Sequence, residues 1–387
     1  MDLEGFRSLF TPQGEAALDA AAQLEPREVD FLAHFQTLSK RYPPETARAA
    51  LETAILRREA DVKFPQANKM FFTREALEQA SSWDVSTYRA RRFNDFARIL
   101  DLGCSIGGDT LALAGIAPTA GIDIDPLRLA MARANAHALD LPADFVQADL
   151  HQVPLARAPA AFFDPARRTD HRRIHRVEDY QPPLSIIRSW LTRIPALGVK
   201  LSPGVDLDEI SGYNAEIEFI SWKGSLKEAV LWLGRLKGAD RRATLLPGAH
   251  TLVAAGLSPT LPLSEPRAYL YEPDPAILRA GLVTDLGAQF NAAQLDPEIA
   301  YLTADERVET PFARVWEVED WMPFQLKRLR AYLRERGVGR LTVKKRGSPL
   351  VPEELIQSLR LKGEEEKVLF LTQMAGKPIV IVCKPED

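Results

Sequence analysis

The chain has 387 residues, which is long for one compact domain, so we expect two or three domains. Its hydrophobic fraction of 46% is ordinary for a globular protein, and no apolar run is long enough to cross a bilayer. A net charge of −4 argues against indiscriminate binding to nucleic acid but leaves room for one basic face. The start of the sequence does not resemble a signal peptide, and the plain expectation is a cytoplasmic protein.

Residues 1–90 are predicted to form an N-terminal helical region. The segments GEAALDAAAQL and PPETARAALETAILRREA are rich in Ala, Leu, Glu and Arg, with apolar residues at every third or fourth position. Pro43 and Pro44 fit the first turn of the second of these helices. No strand is indicated before Arg98.

Beyond Arg98 the pattern changes to short apolar strands with room for helices between them. The predicted strands are ARILDLG, TAGIDID, ADFVQADL, APAAFFDP and LGVKLSP. The first two helices between them are GGDTLALAGIA and DPLRLAMARANAHAL, the latter with Asp125 as N-cap and Pro126 in its first turn. This alternation predicts an α/β fold with a doubly wound, Rossmann-like parallel sheet over residues 91–257.

Two further strands are predicted at the edge of this sheet. EAVLWLGRL and RRATLLPG flank the turn-prone KGAD, which indicates an antiparallel addition. The Pro-rich LSPTLPLSEPR then predicts a boundary near residues 258–267. Beyond it, PAILRAGLV and PFQLKRLRAYLRERG are predicted helices, and GRLTVKKRG, KVLFLTQM and KPIVIVCKP are predicted strands. Residues 266–387 are therefore expected to form a smaller α+β domain.

The strongest chemical signal is DLGCSIGGD, which lies where a buried strand turns into a helix. Asp101 opens the segment, and Gly103 and Gly107 allow the backbone to bend sharply and approach a ligand. Backbone N–H groups at the start of the next helix can receive a carboxylate or a phosphate. A dinucleotide loop would require G-x-G-x-x-G, whereas D-x-G-x-S-x-G, with Ser105 as its serine, favours a methyl donor.

Two more carboxylates follow the next two strands. Asp123 ends the second strand and can accept hydrogen bonds from both hydroxyls of a ribose. Asp149 ends the third strand, where it can accept from an adenine amino group. Single aspartates at such positions are often turn or cap residues, but three acidic strand ends beside a glycine turn predict a ligand site. The adjoining Ile124 and Leu150 are included in the predicted site.

In order and spacing, ILDLGCSIGGDTLALA, GIDIDP, ADFVQADL and FFDPARR resemble motifs I to IV of class I S-adenosylmethionine-dependent methyltransferases. The resemblance covers about residues 65–255. It is closest to a bacterial branch with a THUMP-like C-terminal domain. Three segments of the chain resemble the hallmarks of that branch: YLYEPDPAILRAGLV, RLTVKKRG and LRLKGEEEKVLFLT. The resemblance implies S-adenosylmethionine as cofactor, held by the glycine turn and the carboxylates that follow the strands.

The segment KMFFTREALEQASS resembles the part of the same branch that precedes the first motif. Such a segment could close over the methionine end of the donor. Glu78 and Gln79 are the candidates for this contact. Leu77 and Phe72 fit equally well as residues that simply pack a helix on the sheet.

The sequence Asp164-Pro165-Ala166-Arg167 follows the fourth strand, beside the expected donor. In related enzymes that act on exocyclic amines, Asp or Asn is followed by Pro, Pro and an aromatic residue. The acid or amide orients the amine, and the ring stacks on the base. The resemblance thus implies catalytic roles for Asp164, Pro165 and Arg167. Arg167 replaces the aromatic residue and could stack on a base or bind phosphate, which leaves amine specificity open.

RNA is the expected partner. Nine Lys and Arg residues stand against the single Glu335 in residues 324–346, and residues 167–176 contain five arginines. The namesakes of the THUMP-like domain bind structured RNA, so the resemblance implies methylation of a base nitrogen in tRNA or rRNA. Two alternatives remain open: a protein or small-molecule substrate, and a non-catalytic donor-binding RNA scaffold. The predicted RNA contacts are Arg168, Arg340, Lys344, Lys345 and Arg346.

No metal is expected. His171 and His175 are four residues apart, but arginines surround them and the sequence indicates no third ligand. Cys104 and Cys383 are predicted to be packing residues. The tryptophans are also predicted to pack in cores rather than to stack on bases: Trp190, Trp222, Trp232, Trp316 and Trp321.

Overall fold

The computed structural model describes residues 1–152, 157–166, 168–169, 172–173, 176–254 and 256–385. The chain divides into two compact units, Met1–Ile220 with Lys227–Gly238 and Ser221–Leu226 with Ala239–Asp387. Within the described ranges, no helix is long and apolar enough to cross a membrane.

The N-terminal part of the first unit is helical, as predicted. Thr11 caps α2 by accepting a hydrogen bond from the Gly14 N–H, and Pro44 occupies the first turn of α4. The α-helices of this part are α1 (Leu3–Ser8), α2 (Pro12–Gln23), α3 (Phe31–Leu38), α4 (Pro44–Ala60), α5 (Arg74–Gln79) and α6 (Trp83–Ala90). Their shared core extends to Leu111 and Met131 of the following α/β part.

The rest of the first unit alternates strands and helices. The helices are α7 (Gly108–Ala114), α8 (Pro126–Ala138), α9 (Ile187–Trp190) and α10 (Leu207–Ile210). The strands are β1 (Ile99–Leu102), β2 (Thr119–Asp123), β3 (Ala143–Gln147), β4 (Ala160–Phe163), β5 (Arg168–Thr169), β6 (Arg172–Arg173), β7 (Ala196–Leu201), β8 (Ala215–Trp222) and β9 (Ser225–Gly234). Asp125 caps α8 with two backbone hydrogen bonds, as predicted.

The sheet of the first unit runs in the order β8-β9-β7-β4-β1-β2-β3. Strands β3, β2, β1, β4 and β7 are parallel, which confirms the predicted α/β class. In register, Leu102 lies opposite both Ile122 and Phe163. The residues after these three positions therefore meet at one edge of the sheet, where ligands of such folds bind.

One detail of the predicted sheet is wrong. The strand EAVLWLGRL does not form a hairpin across KGAD, because β9 is inserted between β7 and β8. It runs antiparallel to β7, and the Lys223-Gly224 turn joins it to β8. Both turn residues have positive φ, the conformation that a two-residue hairpin turn requires.

The second unit is an α+β unit, as predicted, with more strands than the sequence indicated. Its helices are α11 (Pro275–Arg279), α12 (Val283–Ala288), α13 (Leu326–Glu335) and α14 (Pro352–Leu359). Its strands are β10 (Arg241–Leu246), β11 (His250–Val253), β12 (Tyr269–Pro273), β13 (Ala293–Asp296), β14 (Ile299–Ala304), β15 (Ala313–Pro323), β16 (Val338–Lys345), β17 (Glu365–Met374) and β18 (Lys377–Cys383). Strands β10 and β11 pair antiparallel. The other seven form a sheet in the order β13-β14-β12-β15-β18-β17-β16, in which only the β16–β17 pair is parallel.

Strand β18 supplies both faces of this sheet with apolar side chains. Ile381 and Cys383 belong to one core with Trp316 and Phe370, whereas the alternate residues of β18 belong to another. The second core includes Leu329 of α13, so the helix covers that face. Cys383 is thus a strand core residue, as predicted.

Candidate active site

The glycine turn after β1 is bent by residues with left-handed backbone conformations. Gly103, Ser105 and Gly107 have φ values of 79°, 50° and 87°, and Gly107 is the N-cap of α7. A Cβ at Gly103 would lie 2.7 Å from the carbonyl oxygen of Asp164, closer than real contacts allow. Only glycine fits this position, and the turn therefore lies directly against the end of β4.

Asp123 is tied to the glycine turn by its carboxylate. Its Oδ2 accepts from the Ser105 N–H at 2.8 Å, and its Oδ1 accepts from the Asp125 N–H at 2.9 Å. Each carboxylate oxygen has two lone pairs, so each can still accept from a ribose hydroxyl. The next side chain, Ile124, is 62% exposed. An exposed isoleucine beside the carboxylate offers an apolar surface to a flat base.

Asp149 lies two residues beyond the end of β3 and closes a local turn. Its Oδ1 accepts from the His151 N–H at 2.9 Å and its Oδ2 accepts from Gln152 Nε2 at 2.8 Å. Leu150 is buried. The geometry matches the common capping role of aspartate and also leaves lone pairs for a base amino group. The predicted adenine contact at Asp149 stays a prediction.

Asp101 is completely buried at the end of β1. Its Oδ2 accepts from the Thr110 hydroxyl at 2.5 Å, whereas Oδ1 has no hydrogen-bond partner in the described part of the chain. Burial, and next the charge of Asp109, raises the pKa of Asp101 from 3.8 to about 8. Asp101 is therefore a neutral acid at pH 7.

This raised pKa predicts a pH-dependent stability. The pKa of Asp101 is higher in the folded than in the unfolded protein. Its contribution to the free energy of unfolding is therefore complete below pH 4 and is lost as pH rises toward 8. At about 1.4 kcal/mol per pKa unit, the loss reaches several kcal/mol. We expect Asp101→Asn to lack this dependence because an amide does not ionise in this pH range, and its oxygen can still accept from Thr110. Melting temperatures of wild type and variant should diverge from pH 5 to pH 9 in favour of the variant.

The exposed Asp95 gives a matched control, since Asp95→Asn should melt like the wild type at every pH. An Asp101→Asn difference that is the same at pH 5 and pH 9 would show that Asp101 is ionised in the folded protein.

Asp164 follows β4 and is held by a lysine that the sequence analysis missed. Lys200, near the end of β7, places Nζ 2.6 Å from Asp164 Oδ2 and 3.4 Å from the carbonyl oxygen of Gln79. Pro165 is buried beside Asp164, and Ala166 is exposed. Arg167 lies outside the described residues. The sequence signal for Lys200 was a single lysine within the otherwise apolar strand ALGVKL.

A second buried cation lies under the glycine turn. Arg89 of α6 is 2% exposed, forms ion pairs with Asp109 and Glu228, and lies over the Phe162 ring at 4.8 Å. Burial would lower the pKa of Arg89, but the charges of Asp109 and Glu228 raise it. Arg89 thus connects α6, the first turn of α7 and β9.

The segment before β1 is attached to the same edge. Lys63 Nζ donates to the carbonyl oxygens of Leu77, Glu78 and Ala80, and buried Asn135 joins Phe71 to the glycine turn through the Ile106 carbonyl. The Glu78 side chain is exposed, and the Gln79 side chain donates to Glu75 at 3.1 Å. The structure therefore brings the backbone of this segment to Lys200, while contact of either side chain with the donor stays a prediction.

The predicted RNA contacts of the second unit differ in exposure. Arg340 and Lys345 are exposed, with Arg340 3.5 Å from Glu366. Lys344 is only partly exposed, pairs with Glu272, and lies 4.2 Å from the centre of the Trp316 ring. Because neighbouring residues of a strand face opposite ways, Lys344 points to the core side and Lys345 to the outside.

Arg346 and Arg168 complete the set of predicted RNA contacts. Arg346 lies over the Tyr301 ring at 5.0 Å and donates to the Ala300 carbonyl. Arg168 begins the two-residue strand β5. Arg346 therefore already has internal partners, as Lys344 has.

The remaining residues that the sequence singled out are a cysteine, two histidines and the tryptophans. Cys104 is buried, and burial raises the pKa of its thiol well above the usual range, so it is not a thiolate nucleophile. His171 and His175 lie outside the described residues. Elsewhere in the described ranges, no group of three or more His, Cys, Asp and Glu side chains could hold a metal. Of the five tryptophans predicted to pack in cores, three are buried: Trp190, Trp232 and Trp316.

The fold and the site together define a class of protein. The strand order, with an antiparallel strand inserted next to the parallel ones, and the D-x-G-x-S-x-G turn are those of class I methyltransferases. The residues fit S-adenosylmethionine, because left-handed residues bend the glycine turn, the Asp123 carboxylate is hydrogen-bonded to that turn, and exposed Ile124 follows.

Comparison with known proteins agrees. Family models match a methyltransferase domain over residues 99–167, a THUMP domain-like region over 313–385 and a domain of unknown function (DUF8688) over 2–60. Uncharacterised S-adenosylmethionine-dependent methyltransferases of two Mycobacterium tuberculosis strains, CDC 1551 and H37Rv, are 36% identical over 357 residues. Those matches cover 87% of this chain and 96% of each relative. The chain belongs to the S-adenosylmethionine-dependent methyltransferases, and S-adenosylmethionine is its cofactor.

A solved structure supports the same fold. The crystal structure of a protein from Porphyromonas gingivalis W83, assigned as a methyltransferase, superposes with a TM-score of 0.81 at 24% identity. The match covers 96% of this chain and 99% of that chain. The helical N-terminal part, the α/β part and the C-terminal sheet therefore occur together in another protein.

Proposed function

We propose that this enzyme methylates a base nitrogen in structured RNA in the cytoplasm. The proposal rests on the position of Asp164. Its carbonyl oxygen lies so close to Gly103 that a residue with a Cβ would not fit there. The backbone carbonyl of Asp164 thus lies against the turn that is proposed to receive the donor, and its acidic side chain is held at the same edge of the sheet by Lys200. Two acceptors at this place suit the two N–H groups of an exocyclic amine.

Bound S-adenosylmethionine supplies a methyl group on a sulfonium, from which the leaving group departs readily. The protein's task is then to hold the nucleophile in line with that methyl, which is catalysis by positioning. In the proposal, Asp164 accepts a hydrogen bond from the acceptor amine and so orients its lone pair. Gly103, Gly107, Asp123 and Asp149 hold the donor.

The support for RNA comes from the second unit. The THUMP domain-like match covers residues 313–385, and namesakes of that domain bind structured RNA. Exposed Arg340 and Lys345 could contact phosphates, which recognise no sequence but fix the orientation of the nucleic acid. Arg168 would do the same nearer to Asp164 in the chain.

The direct test is transfer of labelled methyl to RNA isolated from a strain that lacks the gene. Wild-type enzyme should label this RNA, and Asp164→Ala should lower the rate by about 100-fold or more because the acceptor amine loses the side chain that orients it. Donor affinity, measured by calorimetry, should change little. Asp95→Ala, at an exposed position, is the matched control. Full activity in Asp164→Ala would remove Asp164 from the acceptor site.

The two alternative functions give different results in the same assay. A protein or small-molecule substrate would leave the RNA unlabelled while protein or low-molecular-weight fractions of the same strain are labelled. A non-catalytic scaffold would bind donor and RNA without transfer to any fraction. Mass spectrometry of nucleosides from the labelled RNA would then identify the modified base.

RNA binding should also depend steeply on salt. Each phosphate contact contributes about 1 to the slope of log affinity against log salt concentration, so Arg340→Gln with Lys345→Gln should reduce the slope by about 2. Lys377→Gln, another exposed lysine of the second unit, serves as control. An unchanged slope in the double variant would place the RNA contacts elsewhere. Lys344 is unsuitable for this test because its removal leaves Glu272 without its cation.

A further inference from the structure

Lys200 is a buried charge to which the proposed function assigns no role. It is 2% exposed, and its ammonium group lies at the edge of the sheet where the glycine turn and Asp164 meet. Burying an ammonium is costly unless it is paired and hydrogen-bonded. The groups that bind the Lys200 ammonium must therefore offset the free-energy cost of burying it.

The backbone fixes Lys200 next to Asp164. Strands β4 and β7 are parallel with Phe163 opposite Val199, so the residues that follow, Asp164 and Lys200, are neighbours across the strands. The 2.6 Å contact between Nζ and Oδ2 is a charge-assisted hydrogen bond. Oδ2 is thereby engaged with Lys200, and Oδ1 is the oxygen left to accept from a substrate.

The same ammonium group reaches a second element. At 3.4 Å its Nζ donates to the carbonyl oxygen of Gln79, the last residue of α5. The segment before β1 and the acidic residue after β4 are therefore joined through one side chain.

We infer that Lys200 is a positioning residue for methyl transfer, which binds Oδ2 of the Asp164 carboxylate and so directs its Oδ1 toward the methyl of the bound donor. The inference rests on the proposed role of Asp164 as the group that orients the acceptor. Lys200 acts through this side chain, since its ammonium group donates to Asp164 Oδ2 and to the carbonyl oxygen of Gln79.

The charges around Asp164 determine what removal of Lys200 would do. Arg89, Asp101 and Asp109 also act electrostatically on this cluster. Arg89 is engaged by Asp109 and Glu228 and is therefore not free to replace Lys200 at Asp164. Without Lys200, Asp164 Oδ2 loses its directly bound cation, so we expect the side chain of Asp164 to lose its fixed orientation.

Sinefungin provides a test that needs no RNA. In this donor analogue a carbon with a protonated amine replaces the sulfonium and its methyl, so the amine lies where Asp164 Oδ1 is directed. S-adenosylhomocysteine lacks that group. The ratio of the two dissociation constants therefore measures the carboxylate at the methyl position. Wild-type protein should prefer sinefungin by about tenfold or more.

In Lys200→Gln, the hydrogen-bond donors remain but the charge is lost. We expect the preference for sinefungin to fall about tenfold, with little change in affinity for S-adenosylhomocysteine. Lys200→Arg, which retains the charge, should keep most of the preference. A preference in Lys200→Gln that equals that of the wild type would overturn the inference and leave Lys200 as a structural residue.

A double variant keeps the test decisive if Lys200→Gln does not fold. Asp164→Asn with Lys200→Met replaces the ion pair by neutral side chains, an exchange that buried pairs often tolerate. If Lys200 acts through Asp164, this variant should bind both analogues like Asp164→Asn alone. A further loss of S-adenosylhomocysteine binding would contradict the inference. Because neither assay contains RNA, an enzyme that labels no RNA would refute the proposed substrate while leaving these results unaffected.

Discussion

Gly103→Ala should reduce the affinity for S-adenosylmethionine by about 30-fold or more, which corresponds to about 2 kcal/mol. Two effects combine at this position. The φ of 79° is strained for any residue with a Cβ, and the added methyl would lie 2.7 Å from the Asp164 carbonyl oxygen. The backbone of the glycine turn or of Asp164 must move, and both belong to the proposed site. Calorimetric titration with S-adenosylmethionine measures the loss.

Gly115→Ala is the matched control for this substitution. Gly115 ends α7 with a φ of −70°, and a Cβ there would meet its nearest atom at 3.4 Å, an ordinary contact. We expect its donor affinity to equal that of the wild type. If Gly103→Ala binds the donor as tightly as Gly115→Ala does, the ligand does not lie against the turn after β1.

Arg89→Met should lower the free energy of unfolding by about 3–5 kcal/mol, the usual cost of removing one partner of a buried ion pair. Asp109 and Glu228 would both lose their shared cation inside the protein. Methionine fills a similar volume, so the loss reports charge rather than a cavity. Urea titration followed by circular dichroism measures the change.

Arg91→Met controls for the loss of an arginine at the end of the same helix. Arg91 is exposed, and substitutions at such positions usually change stability by less than about 0.5 kcal/mol. Equal stabilities of the two variants would show that Arg89 does not balance Asp109 and Glu228. Because unionised carboxyls need no cation, the deficit of Arg89→Met should also shrink as pH falls toward 5.

The parts of the site that sequence could predict are those whose chemistry is local. Gly103 and Gly107 have the positive φ that their spacing implied, and Asp123 is joined to Ser105 of the same turn. The left-handed residues of the turn follow from its own glycine spacing, and Asp123 ends the neighbouring strand, which pairs with β1. The same is true of Asp125, which caps α8 two residues after Asp123.

The parts that sequence could not predict depend on residues distant in the chain. Arg89 is hydrogen-bonded to Glu228, which is 139 positions away in the sequence, and Lys200 is hydrogen-bonded to Asp164, which is 36 positions away. The insertion of β9 between β7 and β8 is likewise a property of the assembled sheet. The basic charge of the segment also could not show that Lys344 is internally packed and Lys345 exposed. The two differ because alternate residues of a strand face opposite sides of the sheet, which places Lys344 near Trp316.

Calorimetric titration of the purified wild-type protein with S-adenosylhomocysteine shows whether the glycine turn and the residues around it bind the donor. A donor pocket between the glycine turn, Asp123 and Asp164 predicts saturable binding of one molecule per chain, weakened in Asp123→Ala because the ribose loses its acceptor. Absence of any heat of binding, for this product and for S-adenosylmethionine alike, would contradict the whole account of the site.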